Sequence, residues 1–121
     1  MLLARAIAVL AAALLVAGCG GDEPVTSVRG GRLAVELDEF LIRPQDVTAS
    51  PGRLVLTIVD RGRLRHSFRL WGPGGEPVRV ETLFPGDEAV RAARLAPGRY
   101  RMLCTVSNHA ELGMTGRLTV R

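Results

Sequence analysis

Lysine is absent from this 121-residue chain, so all 16 basic residues are arginines, set against 12 acids for a formal charge of +4. The arginines are scattered, and aromatics make up only 4% of the residues. A basic run interleaved with aromatics is therefore missing, which excludes a nucleic-acid face and leaves a solvated, Arg-biased surface suited to an acidic partner. The acids show no paired arrangement of the kind that acid/base catalysis needs. Internal repeats, coiled-coil heptads and a phosphate-cradling glycine loop are also missing. The apolar run from Ala6 to Gly18 has thirteen residues, short of the roughly twenty that span a hydrocarbon core. The length allows one domain.

What is present begins with a targeting segment. Arg5 supplies a positive start, and the run Ala6 to Gly18 is rich in Ala, Leu and Val and ends in small residues. Leu15-Val16-Ala17-Gly18-Cys19 resembles the lipobox of bacterial lipoproteins. That resemblance implies a signal peptide over residues 1–18, cleavage before Cys19, lipid on its thiol, and a cell-membrane anchor on the extracytoplasmic side. Residues 19–31 then read as the lipidated Cys and a flexible, glycine-rich tether, with the domain over residues 32–121. With Cys19 acylated, Cys104 has no disulfide partner. A lone thiol outside the cytoplasm is an oxidation liability unless it is buried or bound to metal.

From Arg32 onward the apolar period is two. Leu33, Val35 and Leu37 alternate with polar neighbours, and Phe40-Leu41-Ile42 stops at Arg43-Pro44. Leu54 to Val59 is a near-continuous apolar run that predicts a central strand. Further extended segments are expected at His66 to Leu70, Val78 to Val80, Glu88 to Leu95, Tyr100 to Cys104 and Gly116 to Val120, with a loop over Trp71 to Pro77. Seven or eight short strands and no convincing helix predict an all-β protein, an antiparallel Greek-key β-sandwich. Leu95-Ala96-Pro97-Gly98-Arg99-Tyr100 resembles a tyrosine corner.

The chemistry gathers in the stretch Tyr100 to Met114. Cys104, His109 and Met114 follow one another with four residues between each pair, and His66 is the only other histidine. One thiolate, two imidazoles and a thioether form the donor set of a mononuclear blue-copper site, a His₂Cys plane with a weak axial Met. Thiolate and thioether suit Cu(I) and imidazole suits Cu(II), so one such set serves both oxidation states. The predicted metal ligands are His66, Cys104, His109 and Met114, holding a single copper ion.

On these residues, with Gly113 before Met114, Gly116 after it, and Pro97-Gly98-Arg99-Tyr100 before the Cys, the chain resembles the cupredoxins. The resemblance covers Arg32 to Arg121, and the loop spacing is most similar to that of rusticyanin and auracyanin. It implies a monomeric carrier of single electrons, passed through the edge of His109 between membrane-bound or extracytoplasmic redox proteins. Ser67 departs from the commoner family pattern, in which an Asn ties the two ligand segments together. The resemblance therefore implies an altered tie, with a raised reduction potential as a hypothesis. A binuclear copper centre needs a second Cys in the loop, and multicopper enzymes need more histidines, so the chain is not expected to be an enzyme. Copper delivery or storage by a lipoprotein is the alternative. Among the rest, Phe68, Trp71 and Phe84 are read as core, Met102 as a gap-filler, and Arg61, Arg63 and Arg65 as a solvated turn.

Overall fold

The computed structural model describes residues 24–121. The predicted signal peptide and Cys19 lie outside the described residues. Ten strands and no helix are present among those described: β1 Thr26–Ser27, β2 Arg32–Asp38, β3 Leu41–Arg43, β4 Asp46–Ala49, β5 Gly52–Asp60, β6 His66–Gly72, β7 Gly75–Leu83, β8 Glu88–Leu95, β9 Gly98–Leu103 and β10 Thr115–Val120. They form two sheets, one of six strands in the order β1-β4-β10-β9-β6-β7 and one of four in the order β3-β2-β5-β8. Strict alternation in β2 and β5 turns Val35, Leu37, Leu56 and Ile58 inward to meet Phe68 and Leu118 from the other sheet, all fully buried. This inter-sheet layer is where burial of apolar area stabilises the fold.

The sandwich is all-β as expected, and β5 is an interior strand, but its pairing is mixed. β2 runs parallel to β5, and β4 runs parallel to both β10 and β1. Parallel neighbours need a crossover connection, and here β3 and β4 carry the chain from one sheet to the other between β2 and β5. A period of two identifies strands and carries no information on their direction. β4 was missed because its apolar content is only Val47 and Ala49. Within the stretch expected to be a tether, Thr26 and Ser27 lie along β4 as the short edge strand β1.

The expected loop over Trp71 to Pro77 is instead a hairpin, with Gly72 opposite Gly75. Pro77 is tolerated there because β7 is an edge strand. Of the three aromatics read as core, Phe68 is fully buried, whereas Trp71 and Phe84 are 46% and 59% exposed. Trp71 alternates with buried Leu70 and so points off the outer face, and Phe84 falls in the turn beyond β7. The tyrosine corner is present: the Tyr100 hydroxyl donates to the Ala96 carbonyl at 2.8 Å.

Candidate metal centre

At one end of the sandwich the ladder between β9 and β10 closes with Leu103 opposite Thr115. The chain between them is the predicted ligand loop. Its mouth is shut by a bond from the Cys104 amide to the Met114 carbonyl at 3.2 Å, and the Met114 amide returns to the His109 carbonyl at 3.0 Å. Two tight turns fold the loop inside these bonds, His109 to Val106 and Gly113 to Ala110, each at 3.0 Å. Gly113 has φ of 108°, a left-handed value that side chains disfavour, and there the chain reverses into Met114. Main-chain bonds thus fix the residues that carry the thiol, the imidazole and the thioether.

His66 begins β6, the neighbour of β9. Between His66 and Phe68 the pairing with β7 shifts register. The β6–β9 ladder pairs Arg69 with Leu103, and continuing that register sets Ser67 opposite Thr105. There the side chain takes over from the ladder. Ser67 Oγ accepts the Thr105 amide at 2.7 Å and lies 2.8 Å from Thr105 Oγ1. The Ser67 amide and hydroxyl point at Cys104 Sγ, at 3.4 and 3.7 Å. The tie expected to be altered by Ser67 is therefore made by its hydroxyl.

These constraints bring His66, Cys104 and His109 together, all buried, with one ligand atom of each within 4.8 Å of the others. Cys104 Sγ lies 4.0 Å from Nδ1 of His66 and 3.7 Å from Nδ1 of His109. A thiolate and an imidazole bound to one metal, at about 2.3 and 2.0 Å, stand about 3.5–3.7 Å apart at tetrahedral to trigonal angles, and slightly farther at wider ones. The donor spacing thus fits a shared ion. Met114 is fully buried beside them in the chain. Cys104 is a free thiol.

The imidazoles have different surroundings. The ring of His109 lies 5.1 Å from that of Phe40 in an edge-on arrangement, and 5.1 Å from that of His66. Burial pushes the His109 pKa below its ordinary value, and the neighbouring His66 adds to the shift. His66 is fully buried, and its Nε2 faces Glu39 Oε1 at 3.5 Å. The same carboxylate oxygen accepts the Arg63 and Leu64 amides at 2.6 and 2.9 Å. The Leu64 amide most of all, with that of Arg63, lowers the Glu39 pKa to about 2 against the opposing cost of burial. The turn between β5 and β6 is shaped by Asp60, whose Oδ1 accepts the Gly62 amide at 2.9 Å. A side chain at Gly62 would press on both the Glu39 carboxyl and His66 Nε2.

Sequence reasoning passed over Glu39, Phe40 and Gly62. Glu39 and Phe40 lie in a short turn far along the chain from the ligands, and Gly62, four residues before His66, reads in the sequence only as a turn residue. The Phe40 φ of 59°, unusual for a bulky residue, is the one backbone sign that its turn is specialised.

A two-sheet β-sandwich with a Cys and two His converging at one end is the arrangement that the resemblance to the cupredoxins implies. No protein-family model and no curated protein matches this sequence. Solved structures match in shape. The chain is similar to auracyanin of the photosynthetic bacterium Roseiflexus castenholzii, with a TM-score of 0.69 and 19% identity over 75% of this chain and 97% of that one. It is similar to auracyanin A, a "blue" copper protein of the green thermophilic photosynthetic bacterium Chloroflexus aurantiacus, with a TM-score of 0.64 and 17% identity over 75% of this chain and all of that one. Rusticyanin of Thiobacillus ferrooxidans matches with a TM-score of 0.62 and 17% identity, over 80% of this chain and 82% of that one. The fold that the resemblance implies therefore holds in three dimensions.

Proposed function

We propose that this protein carries single electrons through one copper ion held by His66, Cys104, His109 and Met114. The observation that supports this best is the buried thiol of Cys104 flanked by two imidazole Nδ1 atoms at the spacing of ligands to one metal. Bound copper supplies a one-electron Cu(I)/Cu(II) couple. The chain supplies soft donors for one oxidation state, imidazoles for the other, and a loop braced so that little rearranges on transfer. Auracyanin A is itself described as a blue copper protein. Copper delivery is disfavoured because His66 and Cys104 are fully buried, whereas handing on an ion requires donors that a partner can reach.

His109, 7% exposed, is the route by which an electron enters and leaves. Leu64 and Leu112, both exposed, belong to the loops that carry the site. With the exposed Arg61, Arg63 and Arg65, they suit docking of an acidic redox partner. Acylation of Cys19 would confine the search for that partner to a membrane surface. Mass spectrometry of the protein from a membrane fraction checks this: an unmodified Cys19 there rules the anchor out.

The deciding measurement is an optical titration of the full-length chain with Cu(II). An intense visible thiolate-to-copper band is expected, lost on reduction and absent from Cys104→Ala. A colourless protein, or equal copper binding without Cys104, overturns the proposal.

A further inference from the structure

We infer that Glu39 is a positioning residue for His66: its carboxylate holds the Nε2–H form of the ring, so that the bare Nδ1 faces Cys104. Three observations carry this. His66 Nε2 is a buried polar atom with no full hydrogen bond among the described residues, and Glu39 Oε1 faces it at 3.5 Å. That oxygen is not free to swing away, because the Arg63 and Leu64 amides pin it. Space for the carboxylate against the ring exists only because residue 62 is glycine, where a Cβ would come within 3.0 Å of both Glu39 Cδ and His66 Nε2.

The chemistry follows from the two ring nitrogens. A neutral imidazole carries one N–H, and the partner of that N–H decides which nitrogen offers a lone pair. Metal-binding histidines commonly donate their second N–H to an acceptor that fixes the ring and strengthens it as a ligand. A carboxylate in that place also sets a negative charge behind the ligand, which favours the more positive oxidation state of a bound ion. The brace is long-range: Glu39 lies in the turn between β2 and β3 and His66 at the start of β6, so it also links the two sheets.

The effect on copper rests on the function proposed above, whereas the effect on the ring does not. The test therefore has a metal-free arm and a loaded arm. In the metal-free full-length protein, ¹⁵N NMR of the imidazoles reads the His66 tautomer directly. The wild type is expected in the Nε2–H form, Glu39→Gln to keep it because the amide oxygen still accepts, and Glu39→Ala to lose it. In the loaded arm, Glu39→Ala should weaken Cu(II) binding about 10–100-fold. Glu39→Gln should weaken it less and raise the reduction potential, because only the charge is lost. A His66 ring that stays Nε2–H in Glu39→Ala with unchanged copper affinity would reduce Glu39 to a loop staple and overturn the inference. So would an Nδ1–H ring in the wild type. If the tautomer responds but no form binds copper, the function proposed above falls and the positioning role stands.

Discussion

The two imidazoles sit in regions of opposite character, yet one turn serves both. His66 is embedded in polar scaffolding: a carboxylate behind its ring, two amides pinning that carboxylate, and Ser67 tying its strand to the Cys104 segment. His109 stands in a loop, and its ring packs against that of Phe40 in a T-shaped pair. Glu39 and Phe40 are neighbours in the chain, one turned to each histidine. Charge and hydrogen bonds fix the direction of a ring, whereas an apolar contact fixes its distance from water and leaves an edge for exchange. The site thus has a held side and an open side.

Placing the same methyl group in each region breaks the comparison most sharply. Gly62→Ala drives a Cβ against the Glu39 carboxyl and the His66 ring, a case of overpacking that costs about 1–3 kcal/mol. It should also weaken copper binding at least as much as Glu39→Ala does. Gly113→Ala meets nothing closer than the Phe40 carbonyl at 3.7 Å and carries only the strain of its positive φ, about 1–3 kcal/mol, with little change in affinity. Denaturant midpoints paired with copper titrations separate the two, and equal effects on affinity would erase the distinction.

Ser67→Ala cuts the link between the held side and the loop. Loss of the bond to the Thr105 amide should cost about 1 kcal/mol and loosen Cys104, seen as a broadened visible band in the loaded protein. Unchanged stability would mean that Ser67 ties nothing. Phe40→Leu keeps bulk but removes the aromatic edge, which is worth about 0.5–1.5 kcal/mol. Its signature should be greater mobility of the His109 ring in NMR relaxation, with His66 unaffected.

The pH dependence of the metal-free protein offers the gentlest test. His109 has a lowered pKa in the fold, so as pH falls below the ordinary value of 6.5 the unfolded chain takes up its proton first. Stability from the neutral ring is complete above that pH and declines below it until the folded ring protonates. Glu39 acts lower on the scale. Its contribution is complete above 4.5 and is lost as pH falls toward about 2. Urea midpoints across pH should flatten just below 6.5 in His109→Gln and below 4.5 in Glu39→Gln. A profile that neither variant alters would place the acid sensitivity elsewhere.

Much of this was legible in the sequence because two simple periods carry it. Alternation in Leu33-Val35-Leu37 gave the strand and its buried face, and the even spacing of Cys104, His109 and Met114 gave the loop. Pairing direction was not legible, since a strand's alternation reads the same whether its neighbour runs up or down. That is why the parallel β2–β5 and β4–β10 pairs appear only in the structure. Trp71 was misplaced because its chemistry suggests burial while its register beside Leu70 turns it outward. Glu39 was invisible for a related reason: its partner is fixed by the stacking of two sheets, which no local pattern encodes.

The order of assembly follows from where β10 lies. This strand comes latest in sequence of the ten, yet it sits inside its sheet, between β4 and β9. As the chain emerges during synthesis, β4 has no partner on that side and β9 has no closing neighbour until residues 115–120 arrive. Contacts so distant in sequence are slow to form. Cys104 and His109 emerge just ahead of that strand, and the loop that aims them can shut only when Met114 is tied to Cys104. The nascent chain therefore offers no finished cradle for an ion, and metal uptake is a late event that follows closure of the sandwich.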